Sequence, residues 1–79
     1  MVQKELINLG LTAKEADVYL ATLQIGFATV QKIASKAEIN RTTTYTHIRN
    51  LISRGLISTM EKNGKQYFVA EKPDKLKFF

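Results

Sequence analysis

The chain has no cysteine and no tryptophan, and only one proline and one histidine among its 79 residues. Without cysteine there is no disulfide framework, no thiolate metal site and no thiol nucleophile. A lone histidine with no clustered partners does not make a metal centre. No apolar run approaches the roughly 20 residues needed to cross a bilayer. The start, Met1-Val2-Gln3-Lys4-Glu5, lacks the apolar stretch of a secretory signal, so the expected compartment is the cytoplasm. There is no glycine-rich phosphate loop and no carboxylate pair set in a cleft, so neither an enzyme nor a cofactor is expected. The most telling absence is local. From Ile39 to Met60 there is no Asp or Glu, while Arg41, Arg49 and Arg54 are present. A surface that meets phosphate needs both conditions.

A chain of this length makes one small domain with a modest core. Its net charge is +5, and the charge is unevenly spread. In residues 1–40, Lys4, Lys14, Lys32 and Lys36 are offset by Glu5, Glu15, Asp17 and Glu38. The second half carries eight Lys or Arg against Glu61, Glu71 and Asp74, so the whole excess lies there. A one-sided basic domain points to a polyanionic partner, although the same excess also serves solubility.

The apolar spacing predicts a short helix over 2–9 with Leu6, Ile7 and Leu9 inward, closed by Gly10. Thr12-Ala13-Lys14-Glu15 has the form of a capping box, with Leu11 placed to staple onto Ala16. A helix over 13–25 follows, with Ala16, Tyr19, Leu20 and Leu23 inward and Gly26 at its end. Phe27-Ala28 is an extended connector. Thr29 caps a helix over 30–37 with Val30, Ile33, Ala34 and Ala37 inward. Ile39 plugs the turn, Asn40 caps a further helix over 41–54, and Gly55 stops it.

At 100° per residue, Thr44, Tyr45, Ile48, Leu51 and Ile52 share the core face of that last helix. Tyr45, Tyr19 and Phe27 all follow the core pattern. Thr42, Thr43, Thr46, Asn50 and Ser53 lie opposite, with His47 and Arg49 on the flanks. Solvated faces usually carry Glu and Lys, which favour helix; threonine disfavours it. Short polar side chains make more sense where something approaches closely. Two β-prone runs, 56–62 and 65–70, flank Asn63-Gly64, the strongest short-range hairpin signal, and Lys62 and Lys65 bracket its tip. Pro73 suits the first turn of another helix carrying Leu76, Phe78 and Phe79. The layout is α+β and mainly α. It is a winged helix-turn-helix over residues 1–72, with a three-helix core and a C-terminal β-hairpin wing over 56–70, followed by the start of a further helix over 73–79.

Candidate DNA contacts follow from this layout. Arg41, at a helix N-terminus, suits a phosphate or the O6/N7 edge of guanine. Thr42, Thr43 and Thr46 suit phosphate or a thymine methyl, and Asn50 suits adenine. Arg49, Lys62 and Lys65 suit the backbone. His47 reads either as a half-buried, hydrogen-bonded ring or as a groove contact. Each of these side chains would also be ordinary on a solvated surface.

The order and spacing of Leu9-Gly10-Leu11-Thr12, Glu15-Ala16, Val18-Tyr19-Leu20, Lys32-Ile33-Ala34, Arg41-Thr42, Tyr45, Leu51, Arg54-Gly55-Leu56-Ile57 and Tyr67 resemble the N-terminal domain of the TrmB family of transcriptional regulators. More loosely, they resemble MarR-type regulators. The resemblance covers about residues 5–76 and implies sequence-specific binding of double-stranded DNA as a dimer. It places the helix over 41–54 in the major groove and the wing on flanking backbone or minor groove. Longer members add a dimerisation helix and an effector domain, often for sugars. Glu38 departs from the family pattern, where the turn usually has Gly, and so do Asn40 for Pro, His47 for an aliphatic residue and Phe68 for a basic one. The Glu38 change points to an altered turn, and the Phe68 change to one wing contact fewer. Two other readings fit a winged helix: a protein-interaction module using Phe78 and Phe79, and a non-specific architectural DNA-binding protein.

Overall fold

A computed structural model describes residues 3–71. Four helices and three strands follow one another: α1 (Gln3–Asn8), α2 (Ala13–Ile25), β1 (Phe27–Ala28), α3 (Val30–Ala37), α4 (Arg41–Ser53), β2 (Ile57–Lys62) and β3 (Lys65–Ala70). The helix expected over 73–79 lies outside the described residues.

α2, α3 and α4 each begin where a side chain accepts an orphan N–H. The capping box of α2 is complete: Glu15 N donates to Thr12 Oγ1 at 3.1 Å, and Thr12 N donates to Glu15 Oε1 at 2.9 Å. Thr29 caps α3 and Asn40 caps α4, the latter accepting from Thr43 N at 2.8 Å. Three helix ends share one solution. Leu11 N donates to Leu6 O, Ile39 N to Ala34 O, and Leu56 N to Leu51 O, each spanning the last turn around a residue with positive φ. That residue is Gly10 after α1 and Gly55 after α4. After α3 it is Glu38, with φ 60° and ψ 42°. The turn is therefore not altered by the missing glycine. Glutamate is held in the left-handed conformation that glycine adopts more easily.

The sheet is antiparallel in the order β1-β3-β2. Asn63 and Gly64 both have positive φ, as a two-residue I′ turn requires, and Lys62 pairs with Lys65 across it. Phe27-Ala28, expected as a connector, is a short strand that pairs with Val69 and Phe68. Its Ala28 faces inward with Phe68 and Ile57, and all three are buried. These residues close the core formed by Leu6, Val18, Tyr19, Ile33, Ile48 and Leu51. Glu71 ties the end of β3 to the helices. Its N–H donates to Leu56 O, its carbonyl accepts from Tyr19 OH at 2.6 Å, and its carboxylate accepts from Ser58 Oγ at 2.8 Å.

Four residues placed in the core by periodicity are not enclosed. Ile7, Leu9, Phe27 and Tyr45 are each about two-fifths exposed or more. α1 has only six residues and buries Leu6 alone. Phe27 lies on the outer face of the sheet, its ring 4.8 Å from that of Tyr67. Tyr45 reaches the core only through its edge, with the Phe68 ring centroid 6.3 Å away at 68°. Conversely Val18, Ala21 and Thr22 are buried on α2 beyond the expected stripe. The Thr22 hydroxyl is satisfied by Val18 O at 2.8 Å.

Candidate nucleic-acid interface

The face of α4 turned away from the core is open. Arg41, Thr42, Thr43, Thr46, Arg49 and Asn50 are all exposed. Four of them, Arg41, Thr42, Thr46 and Arg49, meet Tyr45 and Val30 around a shallow hollow of about 480 Å³ between α4 and the start of α3. The hollow carries an arginine towards each end and an apolar stretch between. Asn40 positions it: by capping α4 it fixes the first turn, where Arg41 and Thr42 stand at the positive end of the helix dipole.

Hydrogen bonds sort the threonines. Thr46 Oγ1 donates to Thr42 O at 3.3 Å, so its proton is used within the helix. Thr44 is buried, and its hydroxyl donates to Ile39 O at 3.4 Å. Thr43 stays exposed beside the cap but does not line the hollow. Asn50 is exposed two turns further on, outside the hollow. His47 is half-buried as expected, but the expected hydrogen bond is not seen at Nδ1, which is buried and without a partner.

The wing contributes Lys62 and Lys65, exposed and paired across the tip. Lys62 is partly engaged, with Nζ 6.0 Å from the centre of the Phe27 ring. Lys65 is exposed at the tip. Phe68 is buried at 1% exposure, so it serves the core and not the wing surface. Arg54, at the far end of α4, turns to the α1–α2 junction, where Nη2 donates to Gly10 O at 3.5 Å. The structure thus joins four of the nine residues proposed from sequence into one hollow. It adds two that periodicity assigned to the core, Tyr45 and Val30. Neither had a sequence signal, because only the crossing of α3 over α4 exposes them together.

The family profile described as "Sugar-specific transcriptional regulator TrmB" matches residues 6–74. The chain belongs to the TrmB family. No curated protein matches it significantly. Solved structures share its winged-helix fold at low identity. TrmBL2, an archaeal chromatin protein with a novel mode of DNA binding, superposes with a TM-score of 0.77 at 22% identity, covering 98% of this chain and 31% of that one. BpsR of Bordetella bronchiseptica, whose DNA binding is regulated by 6-hydroxynicotinic acid, gives 0.75 at 22%, covering 86% of this chain and 50% of that one. The homodimeric DNA-binding domain Mb0332 of Mycobacterium bovis gives 0.72 at 21%, covering 90% and 65%. The TrmB-family chain therefore spans half or less of the length of the first two. Among the described residues, no helix is long and apolar enough to cross a membrane.

Proposed function

We propose that this chain is the sequence-specific, double-stranded-DNA-binding domain of a transcription regulator. The observation that carries the reading is the open, acid-free face of α4, with Arg41 and Arg49 at the two sides of one hollow. α4 enters the major groove and the wing follows the flanking backbone or minor groove, with Lys65 foremost. Phosphate contacts position the domain, and base-edge contacts from the first turns of α4 give preference. Residues 1–72 form the DNA-binding unit, which acts in the cytoplasm as a dimer. Two copies read half-sites about one helical turn apart. The homodimeric Mycobacterium bovis domain supports that arrangement.

Selection of bound sites from a random duplex pool tests the reading. A recurrent motif with two-fold symmetry is expected. Pools that emerge unenriched, with every duplex bound equally and a steep salt dependence, establish instead a non-specific DNA-coating protein. The likeness to TrmBL2, an archaeal chromatin protein, is what favours that second reading. If no duplex binds even at low salt, both give way to a protein-interaction module.

A further inference from the structure

We propose that the hollow between α3 and α4 receives the 5-methyl group of a thymine, so that Tyr45 and Val30 determine specificity. The inference rests on the DNA-binding reading above and adds the base that the hollow selects. Its centre is apolar. Val30 stands at the first position of α3, half-buried and packed on the core, so its place is fixed. Tyr45 lies across the hollow from it. The edge contact with Phe68 holds the Tyr45 ring while two-fifths of the residue stays open to solvent. Thr46 lines the same space with its hydroxyl proton committed to Thr42 O.

The charges stand at the margins. Arg41 and Arg49 are eight residues apart, about 12 Å along the helix axis. Each guanidinium can hold a phosphate or a guanine edge while the middle stays apolar. In the major groove the one apolar group a base offers is the thymine methyl. With no carboxylate from Ile39 to Met60, nothing on this helix repels the strand that carries it. A hydrophobic centre between two cations therefore fits a methylated pyrimidine flanked by phosphate.

The test uses the full chain and the best duplex from the selection, with each thymidine replaced in turn by deoxyuridine. This removes one methyl and leaves base pairing unchanged. At one thymidine per half-site the affinity should fall about fourfold, the worth of one buried methyl. Val30→Thr, which keeps the shape and adds a hydroxyl, should bring the ratio of thymidine to deoxyuridine affinity close to one. Tyr45→Ala should do the same and serves if the first variant melts early. Neutral substitution at every thymidine overturns the inference and leaves DNA binding standing. So does a fourfold ratio that survives in both folded variants. Equal binding of all duplexes overturns it too, whereas no binding to any duplex removes the parent reading.

Discussion

Glu38 is the residue whose conformation and chemistry disagree. It occupies the left-handed position that ends α3, where a side chain with a Cβ costs roughly 1 kcal/mol relative to glycine. Glycine in turn gives the unfolded chain more freedom, which offsets part of the gain. Glu38→Gly should therefore stabilise the domain by about 0.5 kcal/mol and raise the melting temperature by roughly 2–4 °C. A lower melting temperature would mean that the carboxylate has a role that outweighs the strain. At Arg41 the argument concerns binding. It stands at the N-terminus of α4, exposed, with its backbone fixed by the Asn40 cap. Arg41→Ala should weaken binding to the selected site by about 1–3 kcal/mol and relax preference at one base position. Titration of the variant against the selected and a scrambled duplex measures this. If the two lose affinity equally, Arg41 holds a phosphate and reads no base.

The helices were legible in the sequence because their ends carry the signal. Thr12, Thr29 and Asn40 mark starts, and Gly10, Gly26 and Gly55 mark stops, each for a reason local to the backbone. The hairpin was equally plain, since Asn63-Gly64 allows little else. What local pattern could not show was pairing at a distance. β1 exists because Phe27-Ala28 finds Val69 and Phe68, some forty residues away. Tyr45 has core spacing but stands where α3 and the sheet leave a gap, and only their packing decides how much of its ring is covered. The wing adds an element whose role is electrostatic. Lys65 sits at the exposed tip, while Lys62 leans over Phe27. Lys65→Ala should lower affinity for all duplexes alike and reduce the slope of log K against log salt by about one. Binding isotherms at several salt concentrations give that slope. A loss confined to one sequence would place Lys65 at a base edge instead.

For the molecule as a whole, the closing contact is the one between Tyr19 and Glu71, 52 residues apart. It joins the middle of α2 to the end of β3, and so clamps the sheet that carries the wing onto the helices that carry the recognition face. The Tyr19 hydroxyl is buried and lies near the Glu71 carboxylate, and both effects, burial first, raise its pKa above the ordinary 10.0. A raised pKa in the folded state means that the neutral phenol is favoured there. Its contribution is complete below pH 10.0 and is lost as pH climbs through the folded value. In neutral solution Tyr19→Phe should cost about 0.5–1.5 kcal/mol, the worth of the hydrogen bond. Above pH 10.0 the wild-type protein should lose that advantage, because phenylalanine has nothing to ionise. Urea melts of the two proteins between about pH 8 and about pH 11 follow the difference. A gap that stays constant across that range would show that the hydroxyl's contribution does not depend on its remaining protonated, and no gap at any pH would show that the clamp depends on ring packing alone.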